Sequence, residues 1–313
     1  WGAVSALQNT PVSQERLDMV QFHWWNYAVP GWVEAAHWLR DLQRAGKIEP
    51  YTTTPPYGSP NPRDLWTWMQ DYEDKTGGNV IAIPHNGNLS NGMMFALQDD
   101  FSDGAPYDVA YAEQRQKWER LYEVTQYKGD GESHPLLSPE DEFADFETWD
   151  WGNLDMSVVK TPEMLPGEYA RSGLQHGLLL EATLGVNPFK FGLVGATDTH
   201  TGLTTPDEDN FFGKFASYEP NPERATHTSK TNPELGISYK SWQYSAAGVT
   251  AVWAEENTRG AIFDAMERRE TYATTGPRMR VRFFGGWDFE ESDARRRDLA
   301  LLGYSKGVPM GAD

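Results

Sequence analysis

The sequence contains no cysteine among its 313 residues. Thiol nucleophiles, disulfide bonds and thiolate-ligated metal sites are therefore excluded. Any transition-metal site must be built from His, Asp and Glu side chains. The sequence does not indicate whether the compartment of the protein is oxidising or reducing, because it contains no thiol or disulfide.

Long hydrophobic runs are also missing. No apolar stretch approaches the roughly 18 residues that a membrane-spanning helix needs, which predicts a soluble chain without membrane insertion. The first residues combine neither a basic patch nor a continuous apolar core, so we expect no signal peptide in this chain. The compartment itself is not indicated.

Positive charge is scarce, with 27 Lys and Arg against 46 Asp and Glu and a net charge of −19. This balance argues against nucleic-acid binding, which depends on neutralising phosphates. An anionic small substrate stays compatible with it, because a bound divalent metal can reverse the local field. A hydrophobic content of 39%, with 13 Trp, 14 Tyr and 14 Phe, is ample for the core of one large α/β domain or two smaller ones.

Strand and helix patterns alternate along the chain. Apolar runs predict strands over residues 16–23, 79–84, 121–125, 191–194, 247–253 and 279–284. Helical spacing and end signals predict helices over residues 33–46, 63–75, 110–120, 163–184 and 259–269. Residues 139–160 form an acidic, aromatic loop that is either a lid or a solvated excursion, and residues 201–240 form a long polar loop. Strands separated by helices predict a parallel sheet or barrel.

The stretch Phe191-Gly-Leu-Val-Gly-Ala-Thr-Asp-Thr-His200 gives the sharpest chemical signal. It predicts a short buried strand that breaks at Gly195 and carries Asp198 and His200 at its end. In extended backbone, residues two apart point the same way, so a carboxylate and an imidazole converge. Such an oxygen and nitrogen pair suits Zn, Mn or Fe. The alternative is an ordinary turn, capped by Asp198, with His200 as a loop histidine.

Other strand ends offer the same kinds of side chain. His85 follows the strand 79–84, while Glu123 and His134 belong to the strand and loop around residues 121–134. In parallel folds the carboxyl ends of all strands face one side. We therefore expect these groups to meet Asp198 and His200 in one place.

Several motifs resemble the family catalogued as domain of unknown function (DUF) 3604. The resemblance runs from about residue 49 to residue 313. The motifs are Ile83-Pro-His-Asn-Gly-Asn-Leu-Ser-Asn-Gly92, Tyr122-Glu-Val-Thr-Gln-Tyr-Lys-Gly-Asp-Gly-Glu-Ser-His-Pro135, Asn187-Pro-Phe-Lys-Phe-Gly192, Gly195-Ala-Thr-Asp-Thr-His200, Asp209-Asn-Phe-Phe-Gly-Lys214, Tyr272-Ala-Thr-Thr-Gly-Pro277 and Phe283-Phe-Gly-Gly-Trp-Asp-Phe289.

That family is similar to the polymerase-and-histidinol-phosphatase (PHP) superfamily of metal-dependent hydrolases. The resemblance implies an α/β fold, namely an incomplete, distorted βα barrel of PHP (TIM-like) type with mostly parallel strands. It implies divalent metal ions (Zn, Mn or Fe) and a small phosphorylated substrate. The residues it implies are His85, Asp198 and His200 as metal ligands, Glu123 and His134 as catalytic residues, and Asn86, Asn88 and Lys128 as substrate-binding residues.

The chain departs from the PHP pattern in its first part. The H-x-H strand, the D-H segment and the later Glu and His that complete the PHP metal cluster have no counterpart. Residues 15–48 instead resemble an aldo-keto reductase segment, in which His23 would line the carbonyl pocket. The expected domains are thus residues 1–48, a βα unit, and residues 49–313, a partial PHP-like domain. An incomplete barrel would also expose sheet edges, which predicts self-association.

Three functions follow. The first is a metal-dependent hydrolase that cleaves phosphoesters with metal-activated water, impaired by the missing ligands. The second is a non-catalytic truncated or chimeric remnant. The third is an NADP-linked aldo-keto reductase, suggested by residues 15–48 alone. Metal content separates the first two from the third, and turnover of an aryl phosphate separates the first from the second.

Overall fold

The computed structural model describes residues 61–101, 104–201, 212–215, 218–244 and 248–312. The chain divides into two compact units, residues 1–80 and residues 81–313. The segment 15–48 that resembles an aldo-keto reductase, with His23, lies outside the described residues. Within them, no helix is long and apolar enough to cross a membrane.

The described residues contain five α-helices and eleven short strands. The helices are α1 (Pro62–Thr76), α2 (Val109–Trp118), α3 (Ala170–Leu184), α4 (Arg259–Glu267) and α5 (Leu299–Lys306). The strands are β1 (Gln98–Asp99), β2 (Ala105–Pro106), β3 (Leu121–Gln126), β4 (Gly129–Asp130), β5 (Gly192–Gly195), β6 (Thr228–Asn232), β7 (Ile237–Lys240), β8 (Val249–Val252), β9 (Thr271–Thr274), β10 (Phe284–Gly285) and β11 (Val308–Pro309).

The predicted barrel of mostly parallel strands is wrong. Among the described residues the strands form five small sheets, and four of these are antiparallel pairs. The three-stranded sheet has the order β4-β3-β5 and combines an antiparallel β3–β4 hairpin with a parallel β3–β5 pair. The fold of the described residues is mixed α/β without a closed barrel.

The connection from β8 to β9 explains part of this error. The two strands flank helix α4, a pattern that predicts a parallel crossover. Instead they pair antiparallel from Val249↔Thr274 to Val252↔Thr271. The backbone N–H of Trp253 continues this ladder by donating to the Glu270 carbonyl, at 3.0 Å. Helix α4 therefore belongs to a long hairpin connection, which joins the end of β8 to the start of β9 on the same side of the strand pair.

The predicted strand over 79–84 is also not a regular strand. Two backbone bonds still tie its end to the core: the N–H of Ala82 donates to the Trp118 carbonyl, at 2.9 Å, and the N–H of Glu123 donates to the Pro84 carbonyl, at 3.4 Å. Pro84 has no N–H of its own, so a continuous ladder cannot form there. Residues 82–84 therefore lie next to Trp118 and β3, and His85 follows them directly.

The predicted helices agree with the structure better than the predicted strands do, and one helix needs a correction. Helices α1, α2 and α4 lie within two residues of their predicted bounds, and Thr258 caps α4 through a hydrogen bond from the Ala261 N–H to its side chain. The helix predicted over 163–184 begins only at Ala170. A short 3₁₀ turn over Leu165–Gly167 precedes it, because Pro166 lacks the N–H that an α-helix would use.

The two predicted loops build a core of their own. The loop over 201–240 contains the β6–β7 hairpin. From that hairpin Ile237 and Tyr239 pack against Trp149 and Met156, which come from the predicted acidic loop. Trp149 is 2% exposed and Met156 is 4% exposed. The acidic loop is therefore not a solvated excursion, since its aromatic residues anchor it.

Candidate functional site

Strand β5 leads directly to the central carboxylate of the candidate site. After Gly195 the chain turns, and Asp198 adopts a left-handed backbone conformation with φ of 54°. Asp tolerates this region better than most residues. His200 then pairs with the segment around Phe215, and its N–H donates to the Lys214 carbonyl, at 2.9 Å. The local backbone thus brings Lys214 next to Asp198.

His85 lies between two carboxylates. Its Nδ1 atom hydrogen-bonds to Glu123, which projects from the middle of β3. Its Nε2 atom lies 3.8 Å from Asp198 Oδ2. A carboxylate that accepts the Nδ1 hydrogen fixes the tautomer and leaves the Nε2 lone pair facing Asp198.

His200 approaches the other oxygen of the same carboxylate. Its Nε2 atom lies 3.2 Å from Asp198 Oδ1. Burial lowers the pKa of His200, against the hydrogen bond to Asp198, which raises it. The imidazole is therefore neutral near pH 7, the form in which histidine binds metals.

Two lysine side chains converge on Asp198. Lys128 Nζ donates to Asp198 Oδ2, and Lys214 Nζ donates to both the Asp198 carbonyl and Oδ2. Burial alone would raise the pKa of the Asp198 carboxyl, but the charges of Lys128 and Lys214 hold it well below its ordinary value. Burial lowers the pKa of Lys214 well below its usual range, and the positive charge of Lys128 lowers it further. Asp198 is thus an ionised, almost fully enclosed carboxylate.

The two asparagines predicted to bind substrate hold Lys128 in place through hydrogen bonds. Asn88 donates to the Lys128 carbonyl, at 2.8 Å. Asn86 Oδ1 accepts from Gln126 Nε2 at 3.2 Å, and Gln126 Oε1 accepts from Lys128 Nζ at 3.0 Å. Both asparagines are buried, so in this structure they hold the turn that carries Lys128.

A glycine makes the approach of this turn possible. A Cβ atom on Gly87 would lie 2.0 Å from the Tyr122 hydroxyl. Tyr122 is 1% exposed, and its hydroxyl donates to the Glu168 carbonyl at 3.3 Å, so it has no room to move away. The His-Asn-Gly-Asn segment therefore needs glycine where it crosses β3.

His134 lies in a different set of contacts. Its Nδ1 atom accepts from the Leu136 N–H at 3.1 Å, and its Nε2 atom lies 3.3 Å from Asp150 Oδ2. Its ring also packs on Tyr169, with centroids 5.5 Å apart. Among the described residues, no hydrogen bond or ion pair joins His134 to Asp198, and its catalytic role stays a prediction.

The structure therefore brings together His85, Glu123, Asp198 and His200, with Lys128 beside them. Within the described parts of the chain, no group of three or more His, Asp and Glu side chains lies close enough to form a ready metal cluster. The residues that sequence reasoning missed are Gln126 and Lys214. Both lie in motifs that carry the family resemblance, but neither side chain is a metal-type ligand.

Comparison with known proteins gives one match. The family described as "Protein of unknown function (DUF3604)" matches residues 38–313. No curated protein and no solved structure matches the chain. The family match covers most of the chain and all the residues of the candidate site, so the chain belongs to the DUF3604 family.

Proposed function

We propose that this chain is a metal-dependent hydrolase of phosphoesters, with His85, Asp198 and His200 holding one divalent ion. The observation that carries the proposal is the position of His85 between Glu123 and Asp198. A carboxylate on one ring nitrogen, with the other nitrogen facing a second carboxylate, is the arrangement that metal-binding histidines adopt. The PHP-like resemblance of the family motifs adds the reaction type.

The three side chains are of types that bind such an ion. Two imidazoles and one carboxylate supply the three protein ligands of a catalytic zinc site. The gap of 3.8 Å between His85 Nε2 and Asp198 Oδ2 is below about 4.2 Å, twice the usual metal–ligand distance. The three side chains supply only enough donors for one ion, not for a cluster.

Lys128 and Lys214 affect how tightly the divalent ion binds. Lys128 and Lys214 already neutralise Asp198, and a dication beside two ammonium groups is repelled. Binding is therefore expected to be weak for the free protein and stronger when an anion is present. A bound ion would supply a water of lowered pKa and polarise the substrate oxygen.

The chain's own groups have separate tasks in this scheme. Glu123 holds the His85 ring in its tautomer, and His200, as a neutral imidazole, has a lone pair with which it would bind the ion. Lys128 stabilises negative charge that develops on the substrate, and its low exposure keeps this interaction strong because water screens it poorly. Lys214 holds the Asp198 carboxylate in place.

Metal content of the purified protein tests the proposal. We expect about one Zn, Mn or Fe per chain by plasma mass spectrometry after equilibration with metal and inorganic phosphate, and loss of that metal in a His85→Ala/His200→Ala variant. His227→Ala is the matched control, because His227 hydrogen-bonds to Ser241 and not to Asp198. Wild-type protein that takes up no metal, or a double variant that keeps it, contradicts the proposal.

A further inference from the structure

An exposed segment with the sequence pattern of a strand lies between β9 and β10. Residues 278–283 read Arg-Met-Arg-Val-Arg-Phe, in which basic and apolar side chains alternate. Such alternation is typical of a β-strand. In the structure, however, these six residues belong to no strand, and all of them are exposed.

Two aromatic side chains, rather than a neighbouring strand, hold one side of this segment. The Tyr272 hydroxyl donates to the Met279 carbonyl, at 2.9 Å, and accepts from the Val281 N–H, at 3.1 Å. Trp253 Nε1 donates to the Val281 carbonyl, at 2.9 Å. The backbone groups of Met279 and Val281 therefore face the body of the protein.

The opposite side of the segment is open. In extended chain, the backbone N–H and C=O groups of consecutive residues point to opposite sides, so those of Arg280 and Arg282 face away from Tyr272. Within the described ranges, neither residue makes a backbone hydrogen bond to another protein group. Two donors and two acceptors thus line an exposed edge, which is a template for pairing with another extended chain.

This edge is basic although the chain as a whole has a net charge of −19. The Arg282 guanidinium is held in place, because it packs over the Trp253 ring at 4.3 Å and donates to the Tyr304 hydroxyl at 2.8 Å. Among the described residues, no ion pair or hydrogen bond engages the side chains of Arg278 and Arg280. Both charges are therefore available to a partner.

The charges indicate which kind of chain the edge fits. A second copy of the same segment, paired in register, would place arginines opposite arginines, and like charges directly opposite each other destabilise a strand pair. An acidic strand would place carboxylates there instead. The apolar side chains Met279, Val281 and Phe283 are 55%, 46% and 65% exposed. The matching partner is thus an extended segment in which acidic and apolar residues alternate.

We propose that residues 278–283 form a docking edge that binds an extended, acidic segment of a partner protein by β-strand addition. The backbone groups of Arg280 and Arg282 supply the hydrogen bonds, and the side chains of Arg278 and Arg280 select carboxylates. This proposal is independent of the proposed function, because it uses none of the residues of the candidate site.

Fluorescence anisotropy with a fluorescein-labelled hexapeptide of alternating glutamate and valine is the experiment. We expect this peptide to bind the wild type at low ionic strength, against the net negative charge of the chain, and more weakly as salt is added. A fully N-methylated peptide of the same sequence keeps the charges but donates no backbone hydrogen bond. It should bind at least about tenfold more weakly.

Two substitutions at one position separate the charge from the backbone. Arg280→Gln removes a charge and should weaken peptide binding about twofold to fivefold, as expected for one exposed ion pair. Arg280→Pro also removes the N–H on the open side, so it should weaken binding about tenfold or more; proline is tolerated where an edge N–H faces solvent. Arg295→Gln is the matched control, because it removes the same charge from an exposed arginine that pairs with Glu291.

The outcomes decide between the possible occupants of the edge. Binding that falls in Arg280→Gln, falls further in Arg280→Pro and is unchanged in Arg295→Gln supports the proposal. No peptide binding to folded wild-type protein, or equal binding of the N-methylated peptide, overturns it. A wild-type dimer in sedimentation that Arg280→Pro converts to a monomer assigns the edge to a second copy and overturns the acidic partner. Thermal unfolding confirms the fold of each variant, and Arg280→Gln keeps the test decisive if Arg280→Pro does not fold.

Discussion

The Nδ1 atom of His85 and the carboxylate of Glu123 form a hydrogen bond across 38 positions of sequence. It joins the end of an extended segment to the centre of β3, and it turns the remaining ring nitrogen towards Asp198. In the proposed metal site, this pair prepares His85 as a ligand and makes Glu123 its orienting partner. Sequence reasoning gave Glu123 a catalytic role, and the geometry favours this positioning role.

Replacing Glu123 by Gln should weaken metal binding while leaving the fold intact. The amide keeps the shape of the carboxylate but loses the charge that makes the imidazole a better ligand. Loss of such a partner reduces metal affinity by about 10–100-fold. Titration with Zn²⁺, followed by competition with a chelating dye, measures the change. Glu132→Gln, at a surface pair with Arg171, should leave the affinity unchanged; an equal loss in both variants would contradict the role of Glu123.

The buried pair of Lys160 and Glu168 should respond asymmetrically to mutation. Lys160 Nζ lies 2.6 Å from both Glu168 oxygens, and both side chains are almost completely buried. Removing one partner leaves a buried charge unpaired, so Lys160→Met should lower the free energy of unfolding by about 3–5 kcal/mol. Replacing both by apolar residues (Lys160→Met/Glu168→Leu) should recover most of that loss.

Urea unfolding of the single and double variants checks this expectation. Glu132→Gln breaks a half-exposed pair and should change stability by less than about 1 kcal/mol. A Lys160→Met variant as stable as the wild type would show that the pair is not buried as described.

Asp130 should make stability fall as pH rises. Burial raises the pKa of its carboxyl to about 7, against hydrogen bonds from the backbone N–H groups of Ser133 and Glu132, which lower it. The folded state therefore holds a proton that the unfolded state releases near pH 4, and the resulting stability is lost between about pH 4 and pH 7. Asp130→Asn keeps the acceptor oxygen without the charge, so it should stabilise the protein at pH 8 by roughly 1–3 kcal/mol and not at pH 4. Unfolding curves at the two pH values measure this; an equal effect at both would refute the shifted pKa.

Gly87→Ala should destabilise the protein and disturb the site. The added methyl group would meet the enclosed Tyr122 hydroxyl, and such overpacking typically costs about 1–3 kcal/mol. Gly260→Ala is the matched control, because nothing lies within 4 Å of its position in α4, and alanine favours a helix. Thermal unfolding should show a lower midpoint for Gly87→Ala and an unchanged or higher one for Gly260→Ala.

The roles assigned to the site residues stay predictions. Four of the five groups expected to converge, namely His85, Glu123, Asp198 and His200, lie close together. The parallel pair of β3 and β5 carries Glu123 and leads to Asp198 and His200, while His85 comes from a segment that is not a regular strand. The barrel prediction is wrong because a strand–helix–strand pattern does not determine whether the second strand runs parallel or antiparallel to the first, as β8 and β9 show.

Lysine positions were the harder part of the prediction. Lys214 lies 16 positions after Asp198 and reaches it only because the backbone pairs at His200. No periodic pattern in the sequence predicts such an isolated β-bridge. Likewise His134 carries the residue type of a ligand, but the turn after Ser133 directs its ring to Asp150 and Tyr169.

The central claim is metal-dependent hydrolysis at Asp198, and turnover of 4-nitrophenyl phosphate with added Mn²⁺ or Zn²⁺ tests it most directly. We expect activity in the wild type that requires the metal and that falls at least 100-fold in Asp198→Asn, which keeps the shape of the side chain but not its charge. Glu140→Gln, a change on the acidic loop away from these contacts, should retain full activity. No metal-dependent turnover in folded wild-type protein, or equal turnover in Asp198→Asn, would contradict the account.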